Sequence, residues 1–373
     1  MKNNIILSIG VPTWNRSGFL KALLESIIHQ AEKFDFTRSV EIIVSDNCST
    51  DDTGVVVKAM SAQTNVAIRY VRNSENIGAI RNMIQTFHQS RGRFWMAFGD
   101  DDILAEGILP EIMHHLTTRD DFSVVMFDQW KLIGHESLMT LESAAERYFY
   151  YMGNAGVFAI RTEHARQGLK PGDDALIAQS YWPQTHIAFL AMKSGNLSKP
   201  FLSLPLISSY SPNHTENTLY SGWYLWETGI RSLQHVALIL KPELGTSFFR
   251  AVCRHLFWTR RLFFYLKNVM LYTAFFDSPR QIRLLRENVR RHLRTISMCN
   301  GLALVMFFVL IELPPSVKRV LYSFIFMMLK PRQWPHAKRD ILVKKAIHER
   351  AHAAENEKGV PRSYDRDVQP EAS

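Results

Sequence analysis

Three consecutive carboxylates, Asp100, Asp101 and Asp102, are the residues of this chain best placed to do chemistry. They follow an apolar and aromatic run, Phe94-Trp-Met-Ala-Phe98, and a single Gly99. Like charges side by side repel and are costly to desolvate unless a cation holds them. A hard divalent cation that also binds phosphate oxygens answers that need. An isolated acidic triplet is equally a solvated loop. The position at the end of an apolar strand favours the ligand reading, because open α/β sheets bind their ligands at the carboxyl ends of strands. A further carboxylate, Asp46, closes a second apolar run, Val40-Glu-Ile-Ile-Val-Ser45.

Elements that would position these groups can be read from periodicity. Ile5 to Val11, Val40 to Ser45, Ala67 to Val71 and Phe94 to Phe98 have strand character. Phe19, Leu20, Leu23, Leu24, Ile27 and Ile28 recur at helical spacing. Val55 to Met60 starts a second helix, and Glu75-Asn-Ile-Gly-Ala-Ile-Arg-Asn82 leads into a third that runs through Phe87. Alternating strands and helices predict an α/β fold, a Rossmann-like, doubly wound, mostly parallel sheet. Beyond the triplet the pattern gives a helix over Glu106 to Leu116, a strand over Phe122 to Trp130 and a helix over Leu141 to Tyr151. A loop feeding a strand follows over Gly153 to Ile160, then a turn at Lys170 to Asp174, a helix over Tyr181 to Met192 and a strand over Leu202 to Tyr210.

The style changes near Ser221. Residues 1–220 carry 19 Lys+Arg against 23 Asp+Glu, and residues 221–373 carry 25 against 12. The basic part is rich in aromatics and helical pattern, over Trp223 to Leu240, Thr246 to Phe276 and Pro279 to Thr295, which points to an anionic partner such as a membrane surface. Ile296 to Ile311 is 16 residues without a charged side chain, short of the ~20 that a spanning helix needs. Pro314-Pro315 interrupts it, and Val317 to Leu329 is a second apolar or amphipathic run. The expectation is a monotopic attachment, with a buried core helix as the alternative. Domains are therefore expected at 1–220 (the α/β domain) and 221–349 (a C-terminal α-helical basic and aromatic region that associates with membrane). A polar disordered tail is expected at 350–373.

Cys48, Cys253 and Cys299 form neither a disulfide framework nor a zinc pattern and fit a reducing cytosol. No signal peptide is expected before the first strand. The absence of Gly-x-Gly-x-x-Gly after that strand argues against a dinucleotide-dependent dehydrogenase. A nucleic-acid partner is not expected, because the basic region pairs its charges with long apolar runs.

Four segments in order resemble a known family: Ile9-Gly-Val-Pro-Thr-Trp-Asn-Arg16, Glu41-Ile-Ile-Val-Ser-Asp-Asn-Cys-Ser-Thr-Asp51, Asn73-x-Glu-Asn-Ile-Gly-x-x-Arg-Asn82 and Gly99-Asp-Asp-Asp102. Over roughly residues 5–210 the chain resembles the inverting family-2 glycosyltransferases with the GT-A fold, closest in appearance to abequosyltransferase-like members of O-antigen assembly. The resemblance implies metal-dependent transfer of a sugar from a nucleotide-sugar donor to a hydroxyl of a polyprenyl-linked oligosaccharide acceptor. That work would take place at the cytoplasmic face of the inner membrane. It implies Mg2+ or Mn2+ on Asp101 and Asp102, with the main ligand at Asp101 or, one residue on, at Asp102. It implies a ribose contact at Asp100 and a pyrimidine contact at Asp46. Pro12, Thr13, Asn15 and Arg16 would lie beneath the nucleoside, and Asn47, Asn76, Gly78, Arg81 and Asn82 along the nucleotide.

One departure concerns the general base. Relatives place an Asp at a helix start about eleven residues before a Gly, and counting back from Gly195 reaches Pro183-Gln184. Glutamine cannot take a proton. Asp174 in the preceding turn, then His186 and Asp173, are the candidates that stay open. Gln184 also leaves open a different class of function, a degenerate fold that binds a nucleotide or scaffolds a glycan-assembly complex without turnover.

Overall fold

A computed structural model describes residues 5–180, 182–210, 232–257, 273–274, 282–283, 285–287, 309 and 312–329. The described residues divide into two compact units, one holding everything up to residue 210 together with 232–257, the other the described residues from 273 onward.

The first unit begins with β1 (Leu7–Thr13), α1 (Ser17–Lys33), β2 (Val40–Asp46), α2 (Thr53–Ser61), β3 (Ala67–Arg72), α3 (Ala79–His88) and β4 (Phe94–Ala97). All four strands are parallel, with Thr13 opposite Asp46, Asp46 opposite Arg72, and Gly10 opposite Ala97. The expected mostly parallel α/β sheet is thus present. β2 and β4 are buried along their whole length, as apolar runs covered on both faces should be. β1 extends two residues past the expected Val11, and Pro12 lies beyond the last β4 pairing. That is where a missing N–H disrupts a central strand least. Gly10 has a packing reason: a Cβ there would collide with Thr86 of α3 and with the Trp95 indole. Helix α1 buries Leu20, Leu23, Leu24 and Ile27 in the main core cluster. Truncating one of these to Ala is expected to cost about 2–5 kcal/mol.

The chain then adds β5 (Ile103–Leu104), α4 (Ile108–Thr118), β6 (Val124–Phe127), β7 (Ser137–Met139), α5 (Leu141–Tyr148), β8 (Phe158–Arg161), α6 (Thr162–Gly168), α7 (Asp173–Ile177), α8 (Pro183–Ser194), β9 (Phe201–Leu204) and β10 (Ser209–Tyr210). The main sheet has eight strands in the order β3-β2-β1-β4-β8-β6-β9-β7. β8 is antiparallel to both β4 and β6, so strand direction breaks at a seam of two pairs, Phe94–Arg161 and Trp95–Ile160. The strand expected over Leu202 to Tyr210 splits in two, since Pro205 has no N–H to continue the ladder. Its second part, β10, pairs with β5 instead. The turn expected at Lys170 to Asp174 ends sooner: Gly172 takes φ +94° and Asp173 and Asp174 open α7.

Helix α9 (Ser232–Phe257) contains a break at Gly245 (φ 85°, ψ 175°), within the gap expected between two helical runs. It packs in this first unit, where the Phe248 ring lies 5.0 Å from Phe189 and 6.1 Å from Phe149. In the second unit α10 (Pro315–Leu329) starts at the expected Pro-Pro break. Arg319 donates to the Ala274 carbonyl and Arg286 pairs with Glu312. Apart from Val309, the apolar run 296–311 lies outside the described residues, as do residues 211–231 and the tail 350–373. Among the described residues no helix is long and apolar enough to cross a membrane.

Candidate active site

The carboxyl ends of β1, β2 and β4 meet at one edge of the sheet. After β4 the chain turns at Gly99, and an added Cβ there would lie 3.1 Å from both Asp101 Oδ1 and Asp102 Oδ2. Two carboxylates therefore converge over a bare Cα. Asp100 points the other way and is buried. It accepts from Thr13 Oγ1 at 2.8 Å and from Arg16 Nη1 at 2.9 Å. Burial pushes its carboxyl up, against the lowering influence of Arg16 and of the Thr13 hydroxyl. Arg16 also reaches Asp101 at 3.4 Å. Among the described residues no such cation lies against Asp102; burial, with Asp101 and Asp100 beside it, pushes its carboxyl up to about 7. Among the described residues no cluster of three or more His, Cys, Asp or Glu is arranged as a complete metal cage. Two carboxylates with room beside them suit a cation that takes its remaining ligands from phosphate oxygens and water, as Mg2+ commonly does.

The neighbouring strand end is already knit together. Asp46 is fully buried. Its Oδ1 accepts from the Ser49 amide at 2.9 Å and its Oδ2 from the Tyr70 hydroxyl at 2.5 Å, with Arg72 Nε at 3.6 Å. Burial and the hydrogen bond to Asp46 raise the Tyr70 pKa and keep it a donor. Asn47 donates its amide to the Thr13 carbonyl at 2.9 Å, and its side chain to Asn76 Oδ1 at 2.6 Å. It accepts from Ile77 N at 2.8 Å. Asn76 Oδ1 in turn takes the Gly78 amide at 2.9 Å, and Gly78 has φ +85°, a conformation that favours glycine. Two non-glycine residues, Asn15 (φ 53°) and Cys48 (φ 66°), also sit in the left-handed region here. Asn15 donates to Ser49 Oγ at 2.9 Å and accepts from Thr50 N at 2.7 Å, while Ser17 N donates to Asp51 at 3.0 Å.

Two of the expected contact residues already have protein partners. Asn82 is buried, donates to the Ser45 carbonyl at 2.8 Å and accepts from Ser45 Oγ at 2.7 Å and Asn73 at 3.0 Å. Its side chain ties α3 to the end of β2. Asp46, expected to face a base directly, has both oxygens engaged by protein donors. Arg81, by contrast, is exposed at the start of α3 and has no ion-pair partner among the described residues. Trp14, between Thr13 and Asn15, is an exposed aromatic that sequence reasoning passed over; a large apolar side chain in a polar turn was the signal available. A cavity of about 440 Å³ opens beside the triplet, walled by Arg16, Asp51, Asp101 and Asp102 and floored by Phe19 and Ile103.

The base candidates do not assemble at this edge. Helix α8 starts with Pro183 and Gln184, and Gln184 Nε2 donates to the Gly153 carbonyl at 2.9 Å. The nearby Gly156 amide bonds the Ala97 carbonyl at 2.7 Å, so the α8 start lies on the carboxylate side of the sheet. Asp174 does not: it pairs with His88 at 2.7 Å. His88 ends α3 six residues after Asn82, about 9 Å along the axis at ~1.5 Å per residue. Arg91, three residues further, contacts Ser8 and Glu41 at the amino ends of β1 and β2. Asp174 therefore sits toward the opposite edge. His186 lies two residues after Gln184 and is buried; burial lowers it to about 4, which leaves it neutral and weakly basic. Asp173 caps its own turn, accepting from the Lys170 amide at 2.8 Å.

Known proteins resemble this chain in sequence and in fold. Residues 8–161 match the family described as glycosyl transferase family 2. The abequosyltransferase RfbV of Salmonella typhimurium is 37% identical over 117 residues, 31% of this chain and 34% of its own length. A GalNAc(5)-diNAcBac-PP-undecaprenol beta-1,3-glucosyltransferase of Campylobacter jejuni is 35% identical over 107 residues, 29% of this chain and 33% of its own. The chain thus spans about a third of the length of the curated relatives it matches. The crystal structure of S. aureus TarS 1-349 superposes with a TM-score of 0.52 at 17% identity, covering 83% of this chain and 90% of that one. TarS in complex with UDP-GlcNAc gives 0.52 at 16% identity, covering 83% and 91%. At such identities the likeness concerns the fold. Residues 8–161 thus match glycosyl transferase family 2, and the sheet has a fold like that of GT-A glycosyltransferase structures.

Proposed function

We propose that the protein transfers a sugar from a nucleoside-diphosphate sugar to a hydroxyl of a glycan acceptor in bacterial surface polysaccharide assembly, and that a divalent cation, Mg2+ or Mn2+, assists. The observation that carries this reading is the meeting of four chain segments at one sheet edge, with Asp101 and Asp102 converging over Gly99. When bound there, the cation would supply positive charge to the departing diphosphate. The chain's own residues do the rest. Arg16 and Arg81 offer guanidinium groups for phosphate oxygens. Trp14 offers a face for the base. Asn15, Asn47, Asn76 and Gly78 hold the loops that cradle the nucleoside, and Asp46 shapes its loop through the Ser49 amide. In the transfer, the acceptor oxygen bonds to the anomeric carbon as the bond from that carbon to the phosphate oxygen breaks. The acceptor proton leaves to a base or to solvent.

The acceptor we favour is a polyprenyl-linked oligosaccharide, in keeping with the undecaprenol named for the Campylobacter relative. The basic, aromatic residues 221–349 support attachment to an anionic membrane surface at the cytoplasmic face of the inner membrane, by peripheral or monotopic contact. The donor sugar, base and linkage are matters for assay. Release of nucleoside diphosphate is measured across UDP-, GDP-, CDP- and dTDP-sugars with a polyprenyl-linked acceptor, with and without EDTA. Turnover that needs both acceptor and divalent cation is the expected result; full activity in excess EDTA would refute the cation's role.

A second reading has its own observation. Gln184 stands at the start of α8, where the family resemblance implies a base, and Asp174 is paired with His88. A fold that binds nucleotide without turnover would show saturable nucleotide binding but no acceptor-dependent release on any donor.

A further inference from the structure

The Arg16 side chain is half exposed, yet its guanidinium lies 2.9 Å from Asp100 and 3.4 Å from Asp101, on the carboxylates a cation would need. Its backbone is fixed. The preceding Asn15 is cross-bonded to Ser49 and Thr50, the following Ser17 amide is held by Asp51, and the Arg16 carbonyl accepts from Leu20 N at 3.0 Å. The side chain also borders the cavity of about 440 Å³ beside the triplet, so the guanidinium can leave the carboxylates without repacking the core. A backbone held on both sides, a half-exposed charged head and open space next to it describe an exchangeable counter-ion.

We propose that Arg16 is a resident counter-ion of the carboxylate triplet which yields Asp101 to the incoming cation and turns to the diphosphate, so that cation and nucleotide bind cooperatively. The inference rests on the reading that this edge binds a nucleoside diphosphate with a divalent cation. Without nucleotide, the guanidinium and the cation compete for the same carboxylate oxygens and repel one another. A diphosphate gives both cations an anion to hold, and the repulsion becomes a shared attraction. By linkage, the nucleotide then tightens cation binding and the cation tightens nucleotide binding by the same factor.

The test uses the full-length chain and Mn2+ as probe, with free Mn2+ followed by electron paramagnetic resonance. Titrations are run alone and with UDP, CDP, GDP or dTDP, on wild type, Arg16→Gln and Arg16→Lys. In wild type, Mn2+ alone binds weakly, and one of the nucleotides tightens it by about tenfold or more. Arg16→Gln should bind Mn2+ alone several-fold tighter than wild type and lose most of the nucleotide enhancement. Arg16→Lys, which keeps the charge, should stay near wild type. Circular dichroism and thermal melting check that both variants fold; a misfolded Gln variant is replaced by Arg16→Met. Unchanged Mn2+ affinity and enhancement in the uncharged variant, or weaker binding of Mn2+ alone, would overturn the counter-ion proposal. If wild type binds neither Mn2+ nor any of the nucleotides, the reading of the site itself fails instead.

Discussion

Two carboxylates at opposite edges of the same sheet, Glu41 and Asp102, are held in opposite ways. At the amino edge, Glu41 is buried and its oxygens are fully taken up. Ser8 Oγ donates at 2.6 Å, Arg69 Nη2 at 2.6 Å and the Arg91 amide at 2.7 Å. At the carboxyl edge, Asp102 is crowded by two like charges and lifted to about 7, with no cation beside it among the described residues. A buried charge that is closed off by its own protein serves the fold. One crowded by like charges beside a cavity is the better marker of a functional site.

The largest effect should come from exchanging the two kinds of carboxylate in turn. Asp102→Asn is expected to abolish nucleoside diphosphate release, by at least about 10²-fold, with the fold intact. Glu41→Gln should leave the rate per folded molecule near wild type but lower stability by about 2 kcal/mol. Paired turnover assays and denaturant melts measure both; the same loss from both variants would erase the contrast between the edges.

A pH series sharpens the comparison. The Asp102 carboxyl is raised from 3.8 to about 7 in the folded protein, so between those values the folded state binds more protons than the unfolded. Its stabilising contribution is present below the lower value and is lost as pH rises through the upper one. In EDTA, the melting temperature of Asp102→Asn relative to wild type should therefore climb between about pH 5 and pH 8. A constant offset would mean that the carboxyl titrates normally.

The smallest effect is expected at Asp174. Its pair with His88 is half exposed and lies toward the amino edge, so Asp174→Asn should change the single-turnover rate by less than about twofold and stability by less than about 1 kcal/mol. A large rate loss would show that this carboxylate does reach the acceptor.

Much of this was legible in the residues themselves. Apolar runs closed by Asp46 and Asp100 placed two strand ends and the carboxylates together, because a strand buried on both faces has a simple composition. What the spacing could not carry was partnership across the sheet. Nothing in Phe-Ala-Ile-Arg161 tells that the strand runs against β4, since a short buried strand has the same composition in either direction. Nor does the Arg81-Asn82 pair disclose that the first side chain faces solvent and the second ties α3 to Ser45. Neighbours on a helix lie about 100° apart, and only packing decides which is covered. The Asp174 pair with His88 was hidden for a related reason: its turn continues into a short helix, and a contact with the end of α3 leaves no sequence signal.

The crossed bonds between the β1 and β2 loops have a consequence for the thermodynamics of recognition. Asn15, Ser49 and Thr50 hold each other in place through bonds within the protein, and Asn15 and Cys48 sit at positive φ. The ordering entropy of that cradle is spent when the domain folds, so a nucleotide meets a surface already set. Its binding should then show little of the loop-ordering entropy that flexible recognition loops display. The amides of Ser49 and Thr50 should exchange with solvent as one cooperative unit, slow before any nucleotide is added.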